Sequence, residues 1–126
     1  MPYRAAVRDA LARSGFDDLP RDGAYVIGLV ALRDAPLSEV IRGLGLSKQA
    51  AGQLVDTLVT RGYLDRSVDP DDRRRLRIAL TERGAAAALE IRQAVEAIDA
   101  ALLERVGPER LAHARATLAA LAELGD

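Results

Sequence analysis

Arg73, Arg74 and Arg75 stand in one run behind Asp69-Pro70-Asp71-Asp72, and with Arg61, Arg66, Arg77 and Arg83 they make seven arginines within 23 residues. A guanidinium is a planar fork of N–H donors that meets phosphate oxygens two at a time and inserts into narrow grooves. Upstream, Ser47, Lys48, Gln49 and Gln53 place a hydroxyl, an ammonium and two carboxamides on neighbouring turns of one segment. A carboxamide can meet adenine through two hydrogen bonds, and a hydroxyl at a helix start can hold phosphate beside backbone N–H groups. These residue types suit a ligand with an anionic backbone and readable base edges.

The elements that must position them can be read from capping and periodicity. Tyr3 to Ser14 predicts a helix with Tyr3, Val7, Ala10 and Leu11 along one side, ended by Gly15. Asp17 to Gly23 is a loop punctuated by Pro20, and Ala24 to Leu32 is apolar enough for a helix buried over most of its surface. Pro36 marks a turn, and Ser38 is placed as N-cap of a short helix carrying Val40, Ile41 and Leu44. Gly43-Leu44-Gly45 breaks that helix, Leu46 is expected to pack inward, and Ser47 caps the next one. In that second helix Leu54, Val55, Leu58 and Val59 form the buried stripe, and Arg61-Gly62 closes it. Tyr63–Val68 and Leu76–Leu80 read as a strand pair, with the polar 69–75 segment as an exposed hairpin tip. Thr81 caps a long helix with Ile91, Val95, Ile98 and Leu102 on one side. Gly107-Pro108 breaks it, and Leu111, Ala114, Leu118 and Leu121 continue the pattern in a last helix.

Two short helices across a tight turn put the second where a major groove can receive it. An arginine-tipped hairpin beside it reaches the adjacent backbone or minor groove. The combination predicts binding to double-stranded DNA.

Composition narrows the alternatives. At 126 residues the chain forms one domain, and its 49% apolar content is dominated by Ala, Leu and Val, which favours a mainly α fold. With no cysteine and His113 as the one histidine, disulfides, thiolate-bound metals, thiol redox sensing and multi-histidine metal sites are excluded. Neither a nucleophile–base pair nor a phosphate-binding glycine loop stands out, so enzymatic activity ranks last and no cofactor is expected. No signal peptide or membrane-length apolar run is visible, and a cytoplasmic location is expected. The net charge of −1 is not that of a globally basic nucleic-acid binder; the distribution of charge carries the argument.

The pattern Val55-Asp56-x-Leu58-x-x-Arg61-Gly62-Tyr63-Leu64-x-Arg66, then Asp69-x-x-Asp72-Arg73-Arg74 and Leu80-Thr81-x-x-Gly84, resembles the MarR family (multiple antibiotic resistance regulators). The resemblance covers roughly residues 16 to 126. It implies a winged helix-turn-helix over about 20–84, flanked by dimerisation helices at about 1–18 and 85–126, within a single 1–126 domain. It further implies a homodimeric transcription regulator, most often a repressor, acting on a near-palindromic operator and answering to a small-molecule effector. By the same resemblance Ser47, Lys48, Gln49 and Gln53 contact base edges and backbone, and Arg74 enters or flanks the minor groove. Arg73 and Arg75 then hold phosphate, Asp72 shapes the wing turn, and Asp56 orients a wing arginine. Val7, Leu11, Ile98, Leu102, Leu111, Leu118 and Leu121 are the expected dimer contacts.

The chain departs from the family pattern in three places. Asp71 stands where many members carry an arginine, so the wing tip is less positive. The first helix is short for an element that normally helps build the dimer. Aromatic residues are scarce, leaving Phe16, Tyr25 and Tyr63 as material for an effector pocket. The alternative function is a winged-helix protein-interaction module, which would lack the steep salt dependence of DNA binding.

Overall fold

Ser47 has extended backbone, φ −61° and ψ 154°, and its hydroxyl accepts from the Ala50 N–H at 3.1 Å, so the helix begins at the next residue. At the other end the Gly62 N–H donates to the Val59 carbonyl at 3.0 Å and the Tyr63 N–H to the Leu58 carbonyl at 2.9 Å. That paired closure needs a left-handed residue, which Gly62 supplies with φ +84°. The computed structural model describes residues 2–32 and 37–125. Pro36 and the side chain of Ile41, both assigned roles from sequence, lie outside the described residues.

In chain order the elements are α1 (Pro2–Arg13), α2 (Gly23–Leu32), α3 (Leu37–Leu44), α4 (Lys48–Thr60), β1 (Leu64–Val68), β2 (Leu76–Leu80), α5 (Glu82–Val106) and α6 (Pro108–Leu124). The fold is mainly α, with a two-stranded antiparallel wing in which Leu64 pairs with Leu80 and Val68 with Leu76. The core joins Val26, Ile27 and Val30 of α2, Val40 of α3, Leu54, Val55 and Leu58 of α4, Tyr63, Leu64, Ile78 and Ala87. Helix α1 packs along α5 and closes this core with Val7 and Leu11. Tyr3 at its start donates to the Asp99 carboxylate at 2.5 Å, which raises the Tyr3 pKa. Asp99 is also paired with Arg115 at 3.5 Å, so α1, α5 and α6 meet at one carboxylate. Among the described residues, no helix is long and apolar enough to cross a membrane.

Several expectations are corrected. Helix α3 begins at Leu37, so Ser38 lies inside its first turn and does not precede it. Leu46 is 39% exposed: after Gly45 at φ +66° the short turn carries it along the rim of the core. Helix α2 is buried along the single stripe Gly23, Val26, Ile27 and Val30, while Tyr25 and Leu32 face outward despite the uniform hydrophobicity of the segment. Strand β1 starts at Leu64; Tyr63 belongs to the helix closure and is fully buried. The hairpin tip is not polar surface throughout, because Asp69 is only 5% exposed.

Candidate nucleic-acid interface

The first turns of α4 present Ser47, Lys48, Gln49 and Gln53 to solvent, while Ala51, Leu54, Val55 and Leu58 bury the opposite side. The amphipathic period therefore brings the sequence-assigned polar residues onto one exposed end of the helix. Gly52 lies among them, and nothing stands within 4 Å of where its Cβ would be. The backbone of α4 is thus open to close approach there.

The wing tip is built by two aspartates that accept from backbone N–H groups two residues on. Asp69 accepts from Asp71 N–H at 2.9 Å and Asp72 from Arg74 N–H at 3.1 Å, the geometry of successive Asx turns. Backbone bonds from Asp72 N–H to the Asp69 carbonyl (3.2 Å) and from Arg75 N–H to the Asp72 carbonyl (3.0 Å) complete the tip. Asp69 is further paired with Arg77 at 3.5 Å, which neutralises a carboxylate the hairpin buries. Sequence reasoning gave the turn-shaping role to Asp72 alone. The Asp-Pro-Asp run was the signal that Asp69 shares it.

This scaffold leaves the tip arginines outward. Arg73 and Arg75 are exposed, and the Arg74 side chain is 95% exposed, with Asp72 at 3.8 Å as its ion-pair partner. An exposed pair at that distance restrains the guanidinium little. Asp56 on α4 pairs with Arg66 of β1, an arginine on the wing strand and not at its tip. Arg66 stands on β1, which packs against α4, whereas the tip lies beyond the far end of the strand. The contact ties the base of the wing to α4.

Phe16 and Tyr25 both line a cleft of about 710 Å³ between α1, α2 and the loop joining them. Val7, Leu11 and Ile91 supply further apolar wall, and Arg4, Arg8 and Arg21 supply positive charge. The Tyr25 hydroxyl donates to the Gly43 carbonyl at 3.2 Å, reaching from α2 to the end of α3. Tyr63 is not part of this wall. Its hydroxyl donates to Asp18, and burial, reinforced by that carboxylate, pushes its pKa up to about 12. The same hydrogen bond, with Arg83 nearby, holds the Asp18 carboxyl below its usual range.

Of the expected dimer contacts, Val7 and Leu11 are buried in the chain's own core, because α1 is folded against α5. Ile98 and Leu111 are half-buried, and Leu102, Leu118 and Leu121 are exposed, the last two at 65% and 64%. None of the residues of α6 is buried.

Residues 17–75 match the family model of the MarR family, a span running from the α1–α2 loop to the end of the wing tip. No curated protein matches in sequence. Among solved structures, Streptococcus pneumoniae FabT in complex with DNA superposes with TM-score 0.77 at 19% identity, covering 96% of this chain and 87% of FabT. A MarR transcriptional regulator from Methanosarcina mazei Go1 gives TM-score 0.78 at 18% identity, over 96% of this chain and 86% of its own. RV1404 from Mycobacterium tuberculosis gives 0.71 at 24% identity, over 97% and 83%. These similarities carry the winged fold from α1 through α6, beyond the segment that the family model matches. The chain is thus similar to the MarR family model over its helix-turn-helix and wing, and it shares the winged helix-turn-helix fold of these solved structures over nearly its whole length.

Proposed function

We propose that this chain is a homodimeric, sequence-specific DNA-binding regulator, acting as a ligand-responsive repressor on a near-palindromic operator. The observation that carries the reading is the pairing of two exposed polar surfaces on one rigid scaffold. The open N-terminal face of α4 carries Ser47, Lys48, Gln49 and Gln53, and the wing tip beside it carries Arg73, Arg74 and Arg75. In this reading Gln49 and Gln53 meet base edges, Ser47 and Lys48 hold backbone, and Arg74 enters or flanks the minor groove. Asp56 acts on the wing through Arg66. FabT, whose structure shares this fold, was crystallised with DNA, which supports DNA as the ligand here.

Dimerisation is supported by the apolar side chains that one subunit leaves open: Leu102, Leu103, Leu118, Leu121 and Leu124 on α5 and α6. A two-fold dimer would set two α4 helices into successive major grooves about 10 bp apart. The cleft carrying Phe16 and Tyr25 is the natural effector site, and an occupant would act by favouring one spacing of the two heads. Transcription regulators of this kind perform no chemistry, in keeping with the lack of a nucleophile–base pair in the sequence.

The test is selection of binding sites from fragmented genomic DNA, with wild type and Arg74→Ala in parallel. Enrichment of a near-palindrome with half-sites one helical turn apart, lost in Arg74→Ala, is the expected result. No enrichment by wild type at low salt would favour a protein-interaction module instead.

A further inference from the structure

Asp18, in the loop between α1 and α2, joins parts of the chain far apart in sequence. Its carboxylate accepts from the Tyr63 hydroxyl and from Arg83 at 3.1 Å, and its backbone carbonyl accepts from the Arg61 guanidinium. Arg83 also donates to the Tyr63 hydroxyl at 2.9 Å and lies over two rings, 4.6 Å from the centroid of Tyr63 and 5.4 Å from that of Phe16. The two rings meet edge to face at 6.2 Å. Arg61 is the C-cap of α4, Tyr63 follows its glycine closure, and Arg83 stands on the first turn of α5. Through its carboxylate and its carbonyl, one loop residue thus ties the closure of α4 to the start of α5.

The same loop is a wall of the cleft. Phe16, Asp17, Leu19 and Pro20 line it on both sides of Asp18 in sequence, while Asp18 turns away toward the Tyr63–Arg83 side. Movement of that wall therefore shifts a group hydrogen-bonded to α4 and α5 at once. A charged, hydrogen-bonded network of this kind has discrete arrangements, made or broken, and does not stretch continuously.

We propose that Asp18 is a positioning residue that locks the end of helix α4 to the start of α5 and passes displacement of the cleft wall to α4. The proposal rests on the reading of α4 as the DNA-contacting helix, although Asp18 itself is none of the side chains assigned to DNA.

The cysteine-free chain allows a direct test. Thr60→Cys at the end of α4 and Glu96→Cys on α5, both exposed, take spin labels, and dilution with unlabelled protein isolates the distance within one chain. The expected result is one narrow distance in the Asp18 background and a shifted, broadened distribution in Asp18→Asn, with helical content retained. Tyr63→Phe, which deletes one hydroxyl, should broaden it too and carries the measurement if Asp18→Asn does not fold. In unlabelled protein, Asp18→Asn should weaken binding to the selected operator roughly tenfold while affinity for random duplex is kept. Unchanged distance distributions in both variants would overturn the proposal. Broadened distributions in a protein that enriches no operator would instead leave the lock standing and sink the DNA reading.

Discussion

The carbonyl oxygen of Tyr63 lies 2.0 Å from where a Cβ on Gly84 would stand. No side-chain rotation relieves that overlap, because the obstacle is backbone. The approach is fixed by neighbours on both sides: Thr81 N–H donates to the Tyr63 carbonyl at 3.1 Å, and the Thr81 hydroxyl donates to the Gly62 carbonyl at 2.5 Å. That hydroxyl also accepts from Gly84 N–H at 2.9 Å as the cap of α5. The Leu80-Thr81-x-x-Gly84 run is therefore a docking device that seats α5 on the closure of α4.

Gly84→Ala should accordingly destabilise the chain. Alanine in a helix gains up to about 1 kcal/mol over glycine, but overpacking a tight contact costs about 1–3 kcal/mol, and an immovable carbonyl sets this case at the upper end. A fall in Tm of roughly 5–10 °C is expected for a domain of this size. Thermal unfolding followed by circular dichroism decides it. A Tm equal to or above wild type would mean that the two elements can separate without loss.

The parts legible in the sequence are those written locally. Ser47, Thr81, Gly15, Gly62 and Gly107 set element boundaries because each cap is satisfied within a few residues. The wing's strand pair followed from partial alternation on either side of a polar turn. The Asp18 cluster was not legible, since its bonds to Tyr63 and Arg83 join residues 45 and 65 positions apart. Asp56 was assigned an arginine partner, but periodicity gave no means of choosing Arg66 over the tip. Likewise an apolar stripe shows that a face is covered without showing by what. Val7 and Leu11 turned out to serve the chain's own core, whereas Leu118 and Leu121 stay mostly exposed.

The Asp18–Tyr63 hydrogen bond should appear in the pH dependence of stability at both extremes. The folded Asp18 carboxyl titrates below its unfolded value of about 3.9, so its contribution is present above that pH and is lost as pH falls through the folded value. Tyr63 is raised from about 10 to about 12, first by burial and then by this bond, so its contribution is complete below pH 10 and disappears as pH climbs toward 12. Urea unfolding between pH 2.5 and 5 should therefore be flatter in Asp18→Asn than in wild type, and between pH 9 and 12 flatter in Tyr63→Phe (the pH limits follow from roughly one unit on either side of the titrations). Parallel curves for variant and wild type would show the bond to be absent in solution.

Leu118 and Leu121 test the proposed dimer without disturbing the subunit core, because most of each side chain is open to solvent in one subunit. Burying a leucine is worth about 1.5–3 kcal/mol, and two-fold symmetry counts each substitution twice. Leu118→Glu or Leu121→Glu should weaken association by about 3–6 kcal/mol, giving monomers at micromolar concentration with helical content intact. Sedimentation equilibrium reads the mass. A dimer surviving both substitutions would put the interface elsewhere, with Leu102 on α5 the next position to change.

Arg74 and Gln49 should fail differently if the proposed roles hold. Arg74 projects from the wing tip with its side chain 95% exposed and ends in a group suited to phosphate and groove. Arg74→Ala should lower affinity for the selected operator and for random duplex alike, and should reduce the slope of log K against log salt by about 1 per subunit. Gln49 stands on the exposed first turn of α4 with a carboxamide that can pair with one base. Gln49→Ala should cost about 1–3 kcal/mol on the operator, relax preference at one position of each half-site, and leave the salt slope unchanged. Titrations at several salt concentrations, on operator and scrambled duplex, separate the two. Equal losses on both duplexes for Gln49→Ala would reassign that side chain from reading sequence to positioning the helix.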